Sequence, residues 1–218
     1  MSERNAIPAE TPAWEANGGG SGAGNRGAAV RAACGGACEA APAEPSAGPL
    51  ARLLSRLRPC ATCPPRPAAG ELWCAAAGSV LGVGAVSFLS FHYGLPLLVA
   101  SFGATAALVY GAPASPLAQP RNVVGGHVVS ALAGITVCQL LGTTWWTITL
   151  GVGLAILLML ATRTLHPPGG ATAFVAVAQA QGWTFVVTPV FAGAALLVIV
   201  ALVFNNCVPG RRYPLYWW

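Results

Sequence analysis

The residues best able to do chemistry in this chain sit beside Pro- and Gly-rich turns. His166 heads a His-Pro-Pro-Gly-Gly run, and the four residues Gly103–Ala106, Gly-Ala-Thr-Ala, recur 67 residues later from Gly170. If each run opens a helix, its free backbone N–H groups and the helix dipole would attract an anion. The pattern therefore predicts an anion site built from two helix starts, with the hydroxyls of Thr105 and Thr172 beside it.

Three nearby side chains have more than one interpretation. Arg121 and Arg163 either line a path to the anion or extend to the membrane interface as markers of orientation. His166 either bonds an anion, carries a proton in symport, or ends a helix by bonding a free carbonyl. The candidate site residues are Gly103, Thr105, Arg121, Arg163, His166, Gly169, Gly170 and Thr172. The two motifs are expected to face each other across a central cavity.

The charge distribution excludes several kinds of site. The six acids are all Glu, and none follows Glu71. The C-terminal two-thirds therefore lacks a carboxylate pair for glycoside hydrolysis, an oxygen cage for a divalent cation and an acidic proton relay. No Ser or Cys stands beside a His at a spacing typical of an activated nucleophile. We expect no enzyme activity, no cofactor and no bound metal.

The cysteines leave one alternative open. Cys34 and Cys38, with Cys60 and Cys63, resemble two halves of a zinc site. The Ala- and Pro-rich segment between the two pairs would not form a compact knuckle, so incidental thiols are the favoured interpretation. Cys74, Cys138 and Cys207 fall in apolar segments and behave as small apolar residues.

Composition places these motifs in a membrane. Only 8% of the residues are charged and 55% are hydrophobic, whereas a soluble domain has about a quarter charged residues. The predicted fold is an all-α membrane protein, a small bundle of about six segments. Four are long enough, or nearly long enough, to cross a membrane: 72–91, 123–141, 145–161 and 185–204. Two are short and broken by Pro or Gly: 95–110 and 167–180.

Arginine gives the orientation. If all six segments cross and the N-terminus is inside, Arg121, Arg163, Arg211 and Arg212 fall on one face with the arginines before residue 72. Each half then has a long, a broken and a long segment. Three crossings per half invert the second half, so a 3+3 inverted repeat with two broken short helices is the arrangement that the pattern suggests.

The remaining segments frame this domain. Residues 1–71 are low-complexity and predicted to be disordered, with one short basic amphipathic stretch at 49–58. That stretch is either a solvated juxtamembrane segment, an interfacial anchor or the end of a targeting peptide. Residues 208–218 form a short aromatic and basic tail.

Three blocks of sequence resemble the HPP family of integral membrane proteins, in the family's order. They are Phe102-Gly-Ala-Thr105, the run Ser115-Pro-Leu-Ala-Gln-Pro-Arg-Asn-Val-Val-Gly-Gly-His127, and His166-Pro-Pro-Gly-Gly-Ala-Thr-Ala173. The resemblance covers residues 72–207 and implies a membrane domain usually described with four helices. Some plant and cyanobacterial members are nitrite transporters, and the plant ones lie in the chloroplast envelope.

The resemblance implies transport of a small inorganic anion, with nitrite as the leading candidate. A non-transporting membrane scaffold or sensor is the alternative. The expected partners are the anion and the lipid bilayer, with a homodimer plausible and no nucleic acid. The expected location is the chloroplast envelope if the source is a plant or alga, and otherwise the plasma membrane.

Overall fold

A computed structural model describes residues 66–217, together with Gly48 and Leu50. Most of the region 1–71 therefore lies outside the described residues, and so do the amphipathic stretch, apart from Leu50, and the four cysteines before residue 64. Residues 66–217 fold into helices without any strand. This confirms the predicted all-α helical bundle. The first helix begins at Ala69, so the membrane domain starts slightly before the expected residue 72.

Helix α1 (Ala69–Tyr93) is the longest apolar element. At 1.5 Å per residue its 25 residues extend about 37 Å, enough to cross a bilayer core of about 30 Å. Its one acid, Glu71, lies in the first turn, where the positive end of the helix dipole favours it. The helix ends at Gly94, which has a φ of 65°. Glycine adopts this left-handed conformation without a Cβ clash.

The first broken segment follows directly. Residues 94–99 are not helical, and the backbone N–H of Leu97 donates to the hydroxyl of Ser90 over 3.3 Å. Helix α2 (Ser101–Gly111) then has only 11 residues. It leads into a loop that holds a single 3₁₀ turn, Pro116–Ala118. The segment expected at 95–110 thus begins with extended chain around Pro96, and its helix starts at Ser101.

The central pair of helices has clear sequence signals at both starts. Helix α3 (Pro120–Leu141) opens with a proline, whose missing N–H costs nothing in the first turn. Helix α4 (Trp145–Ala161) opens with a capping box in which Thr144 and Thr147 satisfy each other's backbone N–H groups. The bounds of α4 agree with the sequence prediction.

The second broken segment forms helix α5 (Pro167–Ala178), with 12 residues. A kinked π-helical stretch (Val186–Phe191) with a non-helical Thr188 then runs into helix α6 (Ala192–Cys207). The kink coincides with Pro189, which cannot donate a backbone hydrogen bond. Among the described residues, three helical stretches are long and apolar enough to cross a membrane: α1, α3 and the joined stretch Val186–Cys207.

Helix α3 lies at the centre of the bundle and packs against α4, α5 and α6, while α1 packs against α2 and α6. Small residues bring the central helices close together. A Cβ on Gly134 would lie 2.7 Å from the carbonyl oxygen of Ala173, and a Cβ on Gly151 would lie 2.9 Å from Val177 Cγ2. Close packing of this kind replaces the hydrophobic driving force that lipid does not supply between helices.

The arginine-bearing loops gather at one end of the bundle. Arg121 donates to the carbonyl of Thr162 over 3.0 Å, which joins the start of α3 to the end of α4. Arg211 donates to the carbonyl of Tyr110 over 2.9 Å. The phenol of Tyr213 donates to the carbonyl of Ala118 over 2.8 Å. We call this the arginine end. The shared position agrees with the grouping that the arginine pattern predicts.

We expect Gly82→Ala to destabilise the bundle by about 1–3 kcal/mol, the usual range for overpacking. A Cβ on Gly82 would lie 2.6 Å from Tyr110 Cζ and 2.7 Å from Cε2, and Tyr110 is fully buried. Gly84→Ala is the matched control on the same helix, since no atom lies within 4 Å of its added Cβ. Thermal unfolding of the two variants in detergent measures the difference, and equal melting temperatures would contradict the packing.

Candidate functional site

Five hydroxyl and imidazole side chains meet inside the bundle, and we call them the His–Thr cluster. The cluster consists of Ser101 and Thr105 of α2, His127 of α3, and His166 and Thr172 at the start of α5 and within it. All five are buried, and four of them have no exposed surface at all. Polar groups are costly at membrane depth unless they are paired.

Local structure explains how these side chains come together. Ser101 and Thr105 are four residues apart, so both lie on one face of α2. Pro167 and Pro168 keep His166 out of the helical conformation, and it caps α5 with φ −138° and ψ 103°. Gly126 lets α3 approach this cap, because an added Cβ would lie 2.6 Å from His166 Cβ.

The hydrogen bonds of the cluster are short. Thr105 Oγ1 lies 2.7 Å from His127 Nε2 and 3.0 Å from His166 Nε2. Thr172 Oγ1 lies 2.7 Å from His127 Nδ1 and 2.8 Å from Ser101 Oγ. The two imidazole rings lie with their centroids 4.9 Å apart.

The cluster is anchored to the arginine end through one carbonyl. His166 Nδ1 lies 2.8 Å from the carbonyl oxygen of Leu117, in the 3₁₀ turn of the loop after α2. A second anchor joins the same region, where the amide of Asn122 donates to the carbonyl of Leu165 over 2.9 Å. The loop before α5 is therefore tied to the start of α3 and to the 3₁₀ turn.

The cluster is closed. Within the described part of the chain, every buried side-chain nitrogen and oxygen has a hydrogen-bond partner. A ligand must therefore replace existing bonds rather than enter a preformed cavity. No group of three or more His, Cys, Asp or Glu that would hold a metal ion occurs among residues 66–217.

The structure brings together some of the predicted site residues and separates others. Thr105, His166 and Thr172 meet in the cluster. Gly169 packs against α3, since an added Cβ would lie 2.7 Å from Ser130 Oγ and 3.0 Å from the carbonyl oxygen of Gly126. Gly103 is exposed, and no atom lies within 4 Å of a Cβ built on it. Around Gly170 the nearest atom to an added Cβ is Val152 Cγ1, at 3.9 Å.

The two arginines lie outside the cluster. Arg121 bonds the carbonyl of Thr162, and Arg163 is exposed in a left-handed conformation with φ 57°. Both arginines therefore lie at the arginine end and not beside the hydroxyl and imidazole groups.

Two members of the cluster, Ser101 and His127, and the backbone anchor at Leu117 are absent from the candidate site residues predicted from the sequence. Ser101 is an isolated small hydroxyl next to the predicted helix start, and its only signal is its position four residues before Thr105. The Leu117 carbonyl carries no sequence signal, because a backbone oxygen is present at every residue. His127 bonds Thr105 of α2 and Thr172 of α5, and its only sequence signal is its place at the end of the second block.

Comparison with known proteins fits this architecture. Residues 64–214 match the family profile described as "HPP, transmembrane region". The chain belongs to the HPP family of transmembrane proteins. The resemblance in the three sequence blocks is thereby confirmed. The matched range begins eight residues before and ends seven residues after the range 72–207 that the resemblance covers.

Two relatives of this HPP protein are described as transmembrane proteins of Dictyostelium discoideum. One is 38% identical over 167 residues, which cover 71% of this chain and 59% of the relative. The other is 43% identical over 129 residues, which cover 56% of this chain and 42% of the relative. The chain thus matches about half the length of these relatives. No solved structure matches it. The HPP protein is an integral membrane protein.

Proposed function

We propose that this HPP protein transports a small inorganic anion across a membrane, with nitrite as the leading candidate substrate. The observation that carries the proposal is the His–Thr cluster, a buried group of neutral donors at the start of a broken helix. Nitrite is favoured by the family resemblance, since some members transport it.

Electrostatics supports an anionic substrate. Glu71 is the only acid among residues 66–217, and it lies at the outer turn of α1. No fixed negative charge therefore repels an anion inside the bundle. Hydroxyl and imidazole N–H groups can replace part of the hydration that the anion loses. Neutral donors bind an anion weakly enough to release it, whereas a fully desolvated guanidinium would hold it.

Access to the cluster is proposed from the arginine end. A groove of about 420 Å³ opens there, lined by Pro120, Arg121, Val124, Gly125, Thr164 and Trp217. Gly125 is the neighbour of Gly126, which contacts His166. The positive charge of Arg121 at this groove would raise the local anion concentration, and salt would screen the effect.

The location and assembly are also proposals. The resemblance favours the chloroplast envelope in a plant or alga and the plasma membrane otherwise. The bilayer is the expected partner, and a homodimer is compatible with the many exposed apolar side chains of α1 and α4.

Flux into liposomes tests the proposal. The full chain is reconstituted, and uptake of nitrite, nitrate and chloride is measured at mildly alkaline pH, where nitrous acid is scarce. Protein-free vesicles give the background. We expect protein-dependent uptake of nitrite that falls at least about tenfold in Thr172→Val, which loses the bonds to Ser101 and His127.

Two variants serve as controls for this experiment. Thr172→Ser keeps the hydroxyl and should retain uptake. Thr136→Val removes an exposed hydroxyl that bonds only the carbonyl of Leu132 in its own helix, and it should transport like the wild type. No protein-dependent uptake of any of the three anions would contradict transport and favour the scaffold or sensor.

A further inference from the structure

The hydrogen bonds between the side chains of the His–Thr cluster form one continuous line, with one branch from the Thr105 hydroxyl to the carbonyl of Ser101 over 3.2 Å. It runs from Ser101 to Thr172, to His127, to Thr105, to His166 and finally to the carbonyl of Leu117. A carbonyl oxygen can only accept, so His166 Nδ1 must carry a hydrogen. This fixed end makes it possible to count the hydrogens along the line.

With both imidazoles neutral, one arrangement satisfies every bond in the line. His166 Nδ1–H donates to Leu117, so His166 Nε2 is bare and accepts from the Thr105 hydroxyl. Thr105 Oγ1 then accepts from His127 Nε2–H, which leaves His127 Nδ1 bare. The Thr172 hydroxyl donates to His127 Nδ1, and the Ser101 hydroxyl donates to Thr172.

With one additional proton, the opposite arrangement also satisfies every bond. His166 now carries hydrogens on both nitrogens and donates Nε2–H to Thr105. The Thr105 hydroxyl turns to His127 Nε2, and His127 Nδ1–H donates to Thr172. The Thr172 hydroxyl donates to Ser101, whose own hydrogen is released for a new acceptor. The two arrangements differ by one proton and need no movement of the heavy atoms.

We infer that the His–Thr cluster binds one proton together with the anion, so that the protein is a proton–anion symporter. This inference rests on the proposed anion transport. The released Ser101 hydrogen is donated to the anion, while the imidazolium of His166 balances the anion's charge. A pair with no net charge costs far less to place inside a membrane than an anion alone.

The proton transfer balances atom by atom. A hydronium ion breaks one O–H bond and gives its proton to Ser101 Oγ, and the former Ser101 hydrogen passes to Thr172 Oγ1. The Thr172 hydrogen passes to His127 Nδ1, the His127 Nε2 hydrogen to Thr105 Oγ1, and the Thr105 hydrogen to His166 Nε2. Each new O–H or N–H bond is matched by one that breaks. The same transfers in reverse return the proton to water when the anion leaves.

Among the residues that the structure describes, no other charged group lies against the two histidines. Phe102 of α2 meets His127 edge-on with ring centroids 5.3 Å apart, and Gly126 of α3 contacts His166. Met159 of α4 bonds Ser130, one turn away from His127. The facing titratable group is in each case the other histidine. The cluster has no carboxylate, and its two hydrogen arrangements carry a charge of zero or one positive unit, which suits pairing with a single monovalent anion.

Proteoliposomes loaded with a trapped pH indicator distinguish symport from uniport. Nitrite is added outside, and nitrite uptake and luminal pH are followed together, with the nitrous acid background from protein-free vesicles subtracted. We expect about one proton per nitrite, and an uptake rate that a potassium diffusion potential set with valinomycin does not change. Voltage-dependent uptake without luminal acidification would show uniport and overturn the inference while leaving anion transport intact.

Thr105 is the one link between the two histidines, so its variants test the line itself. Thr105→Val has nearly the same size but no hydroxyl, and its proton-coupled uptake should fall at least about tenfold. Thr105→Ser should restore it. If Thr105→Val keeps wild-type uptake and proton stoichiometry, the inference is wrong. If Thr105→Val does not fold, the number of protons taken up per nitrite by the wild type still tests the inference. If no anion is taken up, both the proposed transport and the symport are overturned.

Discussion

A His166→Leu variant is expected to lose about 100-fold in anion uptake. The substitution removes the group that joins Thr105 to the carbonyl of Leu117. It leaves that carbonyl without its buried partner, while Thr105 keeps only its bonds to His127 and to the carbonyl of Ser101. An unsatisfied buried polar group costs about 1–3 kcal/mol. A loss of about 3 kcal/mol corresponds to roughly 100-fold, because about 1.4 kcal/mol gives tenfold.

Two further variants show whether this loss is functional or structural. His92→Leu makes the same change at an exposed histidine at the end of α1 and should transport like the wild type. His166→Gln offers an amide that can donate to Leu117 and accept from Thr105, but it cannot take up a proton. It should melt near the wild-type temperature and still transport poorly. Wild-type uptake by His166→Leu would remove His166 from the mechanism.

Gly169→Ala is expected to destabilise the protein by about 2–3 kcal/mol. The added methyl group would lie 2.7 Å from Ser130 Oγ and 3.0 Å from both Met159 Sδ and the carbonyl oxygen of Gly126. A backbone oxygen cannot move aside cheaply. Helix α5 would therefore have to move away from α3 and α4, and the bonds of the cluster would lengthen with it.

The neighbouring glycine provides the control for this variant. At Gly170 an added Cβ would meet only Val152 Cγ1, at 3.9 Å, which is ordinary van der Waals contact. Gly170→Ala should therefore be neutral or slightly stabilising, since alanine favours a helix interior. Melting temperatures and nitrite uptake of the two variants, measured side by side, check the difference. Equal losses at both glycines would contradict the packing of α5 against α3.

Much of the fold could be predicted from the sequence because hydropathy and proline placement act locally. The bounds of α4 follow from the Thr-rich start at Thr144 and the polar Thr162 after it. The two short helices were recognisable as broken segments by Pro96 and Pro167. A count of four helices for the family is consistent with α1, α3, α4 and α6 as the longer elements.

The sequence could not predict in the same way which side of each short helix faces the cluster. Gly103 lies two residues from both Ser101 and Thr105, and two residues correspond to a rotation of about 200° around a helix. It therefore faces outwards when those two side chains face the cluster. Gly170 has the same relation to Thr172. The repeated Gly-Ala-Thr motif identified both threonines correctly as neighbours of a shared site but could not assign the glycines to a face.

The structure shows what the two repeated Gly-Ala-Thr motifs have in common. Thr105 and Thr172, the equivalent threonines of the two motifs, bond opposite nitrogens of the single imidazole of His127. The two broken helices are thereby joined through one side chain of the central helix α3. The 3+3 inverted arrangement of the whole bundle stays a prediction.

Residues 213 and 215 bond the segment that joins α2 to α3. Tyr213 bonds the carbonyl of Ala118, 95 residues earlier, and Leu215 N–H donates to the side chain of Gln119, 96 residues earlier. These contacts support the loop whose Leu117 carbonyl orients His166. Residues near 215 leave the ribosome after helices α1 to α6 have been made, so this support forms only after those helices. A nascent chain inserted only in part therefore lacks a finished site.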